Sequence, residues 1–330
     1  MKAVVAKSFA EDFKFSVDPD FPKPILSEDD FDGHGMIVKV CAGGINPVDY
    51  KIAQGHLGKM PLPYIPGCDL AGIVEDPGKS SFAKGDRICA HININEQYGG
   101  LCEFTKMDSR SAAIMPASVS FEEAACLPCA GLTAMQLVEK AHPKAGEWVV
   151  VNGAAGGVGS FAVQLVKLSG ARVIAICSER NFEKVRGLGA DECISYACEP
   201  DELNKKILTI AGGKVEVVLD AVSGDTFASL MKGVLDFQGR GSGIVGTPSV
   251  FDSMFTNGWT LSMSALGWAF GAGGKHIDAL STAMARLLSM VAEKKVKIPS
   301  LEVVPMDGTQ EAYVRLSKRH VTGKIVIKME

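Results

Sequence analysis

Val149-Val150-Val151-Asn152-Gly153-Ala154-Ala155-Gly156-Gly157-Val158-Gly159 is the stretch that decides the fold. A β-branched run reads as a buried strand, and it ends in a cluster of glycines. Phe161, Ala162, Leu165, Val166 and Leu168 follow at helical spacing, and Arg172-Val173-Ile174-Ala175-Ile176-Cys177 then reads as a second strand. A strand–turn–helix–strand unit with glycines at its first turn has a specific physical use. The glycines let the backbone turn tightly and approach a pyrophosphate, whose charge sits at the helix N-terminus. Gly156, Gly157 and Val158 are therefore the expected dinucleotide contacts. The competing reading is a tight strand–helix turn without a ligand.

Working outward, the rhythm of strand and helix continues on the C-terminal side. Strands are expected near 147–152, 172–177, 192–195, 215–220, 241–246 and 260–265, which makes a six-stranded, doubly wound parallel sheet. A helix near 277–294 and a closing strand at 324–328 come after it. On the N-terminal side, residues 1–124 carry short alternating strands rich in glycine and proline, as in Met36-Ile37-Val38-Lys39-Val40 and Ala71-Gly72-Ile73-Val74-Glu75. That half reads as mostly β. The C-terminal segment is placed back on this first domain, so the nucleotide domain is an insertion.

At 330 residues the chain is long for one core, and two domains are expected. A net charge of −4 provides no electrostatic footprint for nucleic acid or an anionic membrane. No run approaches the roughly 20 apolar residues of a membrane span. The N-terminus reads as a strand and lacks a signal-peptide core, so the cytoplasm is the expected location, with a removed transit peptide as the open alternative. Nine cysteines, odd in number and scattered, fit buried thiols better than a disulfide framework.

Several segments in order resemble the medium-chain dehydrogenase/reductase superfamily, in its zinc-independent quinone oxidoreductase and alkenal (enone) reductase branch. They are Gly44-Ile45-Asn46-Pro47-Val48-Asp49-Tyr50-Lys51, Pro63-Tyr64-Ile65-Pro66-Gly67-Cys68-Asp69-Leu70-Ala71-Gly72-Ile73-Val74-Glu75 and Gly85-Asp86-Arg87-Ile88. Leu127-Pro128-Cys129-Ala130-Gly131-Leu132-Thr133-Ala134, the glycine turn, Gly189-Ala190-Asp191 and Gly323-Lys324-Ile325-Val326 complete the set, which covers nearly the whole chain. The resemblance implies a mostly β, GroES-like catalytic domain over 1–124 and 269–330, and an inserted Rossmann domain over 125–268. It also implies an NADPH-dependent reductase that passes hydride to an α,β-unsaturated carbonyl or a quinone. An enoyl-thioester reductase and a non-catalytic NADPH-binding structural or regulatory protein are the alternatives. A small electrophilic molecule is the expected partner, and a homodimer follows from the resemblance alone.

NADPH is favoured over NADH because the second strand ends in Cys177-Ser178-Glu179-Arg180-Asn181, without an acid at the ribose position, and Lys184 follows. A carboxylate there would repel a 2′-phosphate, whereas Ser178 and Arg180 can bond to it. Asn181 belongs to the same cofactor-binding turn. The competing reading makes Arg180 and Lys184 a solvated helix start. By resemblance Tyr196 packs near the adenosine phosphate and Val245-Gly246 lies beside the nicotinamide. Lys51 is placed near the nicotinamide ribose, as ribose ligand or enolate donor, or is a solvated loop lysine. Tyr50, Asn46 and Thr133 are the remaining catalytic candidates, with bracing of the fold as the equal alternative.

The resemblance also bears on metal. Zinc enzymes of the superfamily use a Cys, a His and a second Cys. Here the first position is Asn46, and Cys68 and Cys129 fall at or near the other two, with Asp69 able to add an oxygen to a fortuitous metal as the alternative. Two thiols and an amide make a poor zinc site, so no metal is expected. Cys126-Leu127-Pro128-Cys129 lacks a thioredoxin context and reads as buried thiols, with redox sensitivity as the minor alternative. His34, His56, His91, His142, His276 and His320 form no close pair in sequence and read as structural or solvated.

Overall fold

Six parallel strands, Trp148–Asn152, Arg172–Cys177, Glu192–Ser195, Val215–Asp220, Leu235–Gly243 and Thr260–Met263, lie in the order third, second, first, fourth, fifth, sixth. That is the strand order of doubly wound dinucleotide-binding domains. They were traced in a computed structural model that describes residues 1–57, 60–319 and 321–329. The chain divides into two units, Met1–Leu132 with Leu266–Glu330, and Thr133–Ala265. Sequence reading put the joins after 124 and after 268.

In the second unit, Val149, Val150 and Val151 are buried because both faces of the sheet are covered by helices. Helix Gly157–Leu168 buries Phe161, Ala162, Val163, Leu165 and Val166. Val150, Ile174, Val218, Phe227 and Met231 share a core on the sheet. One strand departs from expectation. The fifth begins at Leu235 and ends at Gly243, so Val245-Gly246 lies beyond it. The register shifts between Val215 and Val217, and Gln238 takes φ +60°, which hides the early half of that strand from a simple alternation pattern.

The first unit is built on a seven-stranded sheet. Its long central strand Gly35–Gly44 pairs antiparallel with Asp69–Asp76, Phe104–Asp108 and Lys324–Lys328. Lys324–Lys328 is the closing strand expected from sequence, and it ties the C-terminal segment to the N-terminal sheet. Met36, Leu70, Ile88, Leu101, Tyr313 and Ile325 lie in one core. The apolar periodicity seen at 277–294 folds as helix Gly274–Ala292, which buries Ile277, Leu280, Met284, Leu287 and Leu288. No helix among the described residues is long and apolar enough to cross a membrane.

Candidate functional site

In the second unit the glycine turn does what its sequence demands. Gly153 sits at φ +78°, a conformation that side chains disfavour, directly after the first strand. Gly156 caps the helix, and the first intrahelical bond runs from the Ser160 N–H to the Gly156 carbonyl at 3.0 Å. The N–H groups of Gly157, Val158 and Gly159 therefore precede the hydrogen-bond ladder, in the geometry that holds a phosphate. Gly159 is required for packing: a Cβ there would collide with the Gly153 carbonyl oxygen and come within 2.7 Å of the Ala154 Cα. Gly159→Ala should therefore destabilise this unit by about 1–3 kcal/mol and weaken dinucleotide binding. Thermal melting with a titration of nicotinamide fluorescence checks both, and unchanged values would refute the packing role.

The other expected cofactor residues gather at the carboxyl edge of the same sheet. Cys177 and Ser195 are register partners, so Ser178 and Tyr196 leave neighbouring strands side by side. Asn181 donates to the Ser178 hydroxyl at 2.9 Å, which holds the turn. Arg180, Lys184 and Tyr196 are exposed. Asp220, at the end of the fourth strand, accepts from Asn152 at 2.6 Å, from Thr226 at 3.0 Å, and from the Val222 and Ser223 N–H groups at 2.8 and 3.0 Å. Burial raises its pKa and these bonds oppose the shift. Gly246, at φ +67°, and Val245 follow the fifth strand. Thr133 is buried in helix Pro128–Ala141.

The first unit holds the remaining candidates. Tyr50 is buried, and its ring stacks on Phe13 with centroids 5.5 Å apart, so its aromatic face belongs to the core. Lys51 is half-buried on helix Pro47–Ala53, and its ammonium has no hydrogen-bond partner among the described residues. Burial, then the charge of Arg319, lowers the pKa of its ammonium. Asn46 spends its amide inside the unit. Its Nδ2 donates to Asp69 Oδ2 at 2.8 Å and to Cys68 Sγ at 3.6 Å, and its Oδ1 accepts from Lys324 Nζ at 2.6 Å. That is the bracing role.

Around Asn46 lies a polar centre that sequence reading only partly assembled. Asp69 and Lys324, 0% and 4% exposed, form a buried ion pair at 3.2 Å. Lys324 also donates to the Ile45 carbonyl at 3.1 Å. Burial alone would lower the Lys324 pKa, but Asp69 and the thiols of Cys129, Cys126 and Cys68 outweigh it and raise it. Asp69 Oδ1 accepts from the Cys129 N–H at 2.7 Å, at the start of helix Pro128–Ala141. His91 ends strand Arg87–His91 directly opposite Asp69 in the antiparallel register. The imidazole is buried and stacks on Phe270 at 6.0 Å. Ligand atoms of Cys68, Asp69, His91 and Cys129 all lie within 4.8 Å of one another. The Cys129 thiol is pulled down in pKa, chiefly by the Cys68 hydrogen bond and then by His91, against burial.

Sequence reading missed Lys324 and His91 as members of this centre. A lysine opening an apolar closing strand was the one signal for the first. The second depends on the register between two strands. Among the other histidines, His34, His56, His142 and His276 are exposed, and His320 lies outside the described residues. Cys126 donates to the Glu122 carbonyl at 3.4 Å and stands apart from the cluster.

Comparison with known proteins is consistent with this architecture. Residues 32–142 match the alcohol dehydrogenase GroES-like domain, and residues 188–327 match the zinc-binding dehydrogenase family. The chain is 31% identical over 310 residues to the chloroplast envelope quinone oxidoreductase homolog of Arabidopsis thaliana, covering 89% of each. The chain belongs to the medium-chain dehydrogenase/reductase superfamily. Within that superfamily, it is 32% identical over 233 residues to the chloroplastic NADPH-dependent alkenal/one oxidoreductase of the same plant, covering 67% of this chain and 57% of the relative. The quinone oxidoreductase of Coxiella burnetii superposes with a TM-score of 0.83 at 26% identity, covering 100% of this chain and 99% of the other. This medium-chain enzyme is therefore an oxidoreductase of a nicotinamide-dependent family, related to quinone oxidoreductases and alkenal reductases.

Proposed function

We propose that the chain is an NADPH-dependent reductase that delivers hydride to small α,β-unsaturated carbonyls or quinones. The observation that carries the cofactor choice is the edge of the second strand. Ser178 and the exposed Arg180 and Lys184, unpaired among the described residues, follow the second strand at the turn where NAD sites carry a ribose-binding acid, with Tyr196 directly after the neighbouring strand. Glu179 is the one acid in that turn, and it opens a short 3₁₀ turn that also contains Arg180. The substrate class rests on the named activities of the relatives. Hydride added to the β-carbon of an enone leaves an enolate, and a proton from water at the α-carbon completes the reduction. Lys51, half-buried and unpartnered, is the donor assigned to the developing oxyanion.

Following the loss of reduced-nicotinamide absorbance with acrolein, 2-hexenal, methyl vinyl ketone, 9,10-phenanthrenequinone and crotonyl-coenzyme A tests this reading. NADPH-linked turnover of enals, enones or quinones is expected. Turnover of crotonyl-coenzyme A alone moves the assignment to thioesters, and silence with NADPH bound removes the catalytic reading. Arg180→Ala should raise the Michaelis constant for NADPH on the order of tenfold and leave that for NADH unchanged. Equal effects on both cofactors would refute phosphate binding by Arg180.

A further inference from the structure

We propose that Tyr50, Lys51 and Arg319, gathered by two packed helices of the first unit, form a binding site for an oxygen anion, a carboxylate or a phosphate ester. Tyr50 and Lys51 lie on helix Pro47–Ala53, and Arg319 follows helix Thr309–Ser317. The two helices pack on each other, and the Tyr313 hydroxyl of the second donates to Asp49 of the first at 2.9 Å. Phe13 joins the same contact, stacked on Tyr50 at 5.5 Å and edge-on to Tyr313 at 6.5 Å. The charge of Arg319 acts on both the Tyr50 hydroxyl and the Lys51 ammonium, so the three groups share one neighbourhood. Lys51 is the donor assigned above to the developing enolate, and Arg319 adds a second cation. The site therefore suits an unsaturated carbonyl that also carries a carboxylate or phosphate. That choice of substrate rests on the proposed reduction, whereas binding of the anion does not.

The chain supplies no counter-charge to this cluster. The Tyr50 hydroxyl, the Lys51 ammonium and the Arg319 guanidinium carry no hydrogen bond or ion pair among the described residues. Acids of the adjoining segments are engaged elsewhere. Asp49 accepts from Tyr313 and from the Asn46 N–H, Glu11 is held by His56 at 2.9 Å, and Glu311 acts on Arg315. Burial and then Arg319 disfavour the Lys51 ammonium, and no carboxylate offsets them. An anion seated between the two cations removes that repulsion. The donors also match in shape: a guanidinium fork grips both oxygens of a carboxylate or two of a phosphate, and the ammonium and phenol add single bonds.

The backbone at Arg319 carries an independent signal. Helix Thr309–Ser317 is capped by Lys318, and Arg319 follows at φ +57°, its N–H donating to the Leu316 carbonyl at 3.0 Å. Glycine is the usual residue at that left-handed position, where a side chain strains the backbone. The fold would be served by glycine. An arginine held there with its guanidinium unpaired breaks a local rule, and such departures mark side chains kept for binding.

The test reads Lys51 rather than turnover, so its outcome is separate from that of the proposed reduction. The full chain, without NADPH, is treated with an amine-acylating reagent across a pH series, and labelling of each lysine is followed by mass spectrometry. Succinate or inorganic phosphate should slow labelling of Lys51 and move its midpoint to higher pH. Protection by succinate alone assigns a carboxylate, by phosphate alone a phosphate ester, and each supports the site. Arg319→Gly and Arg319→Gln should raise the Lys51 midpoint in the free chain and weaken protection by about tenfold or more. Glycine suits φ +57°, so Arg319→Gly should leave the fold intact, which thermal melting checks. Lys79→Gln removes the same charge from an exposed pair with Glu28 and should leave Lys51 labelling and protection unchanged. Failure of both anions to protect Lys51 overturns the proposal, as does equal protection of exposed lysines, which is general screening. Undiminished protection in the folded Arg319 variants overturns it as well.

Discussion

Lys324→Met should lower the stability of the first unit by about 3–5 kcal/mol, the cost of leaving one partner of a buried ion pair uncompensated. The ammonium is enclosed and serves three oxygens, those of Asp69, Asn46 and Ile45. Methionine fills a similar volume, so packing is nearly conserved and the effect reports the charge. The Asp69 carboxylate would remain enclosed with only the Asn46 amide and the Cys129 N–H as donors of full hydrogen bonds. At 2–4 °C per kcal/mol for a unit of this size, the melting transition should fall by roughly 10 °C. Combining Lys324→Met with Asp69→Asn should recover part of that loss, because the orphaned charge is then removed as well. A drop of less than 2 °C for the single variant, or simple additivity in the pair, would mean that the ion pair contributes little.

The second large effect concerns Asp49, which is buried at the start of helix Pro47–Ala53. Its Oδ2 accepts from the Asn46 N–H at 2.7 Å and from the Tyr313 hydroxyl at 2.9 Å. Burial pushes its pKa up to about 7, with the charge of Asp69 adding to the rise and the two hydrogen bonds opposing it. The folded chain therefore holds a proton that the unfolded chain releases near 3.8. The stability from this proton is complete below pH 3.8 and is lost as pH rises to about 7. Asp49→Asn keeps an acceptor oxygen and carries no charge. It should match the parent chain below about pH 3.8, pull ahead of it as pH rises from there, and exceed it by a few kcal/mol near pH 8. Melting curves across that range check the sign. A difference that does not change with pH would show that Asp49 stays ionised in the folded chain.

Both predictions rest on groups that sequence reading weighted lightly. In sequence Asp69 reads as a possible extra oxygen beside Cys68, Lys324 as part of a closing strand, and Asp49 as part of a motif. Their chemistry comes from enclosure, and enclosure of a charged side chain leaves no periodic trace. Asn46 and Tyr50 show the same limit from the other side. Their motif marked the right loop, yet the structure engages the Asn46 amide with Lys324 and stacks the Tyr50 ring on Phe13. For the dinucleotide turn the reading went further, because a strand, a glycine turn and an amphipathic helix are adjacent in sequence and carry their own geometry.

The local sequence by itself determined the six-stranded nucleotide domain, the helix at Gly274–Ala292 and the closing strand. In each, side-chain alternation or helical spacing acts over a few residues, and burial of the apolar face follows. The tertiary structure decided which polar groups share one enclosed volume. Lys324 meets Asp69 across 255 positions of chain, and His91 meets it through the pairing of two strands. A shift of one residue in that pairing would send the imidazole to the opposite face of the sheet. The cluster of two thiols, an imidazole and a clamped carboxylate is therefore a property of register and packing, which only the folded chain sets.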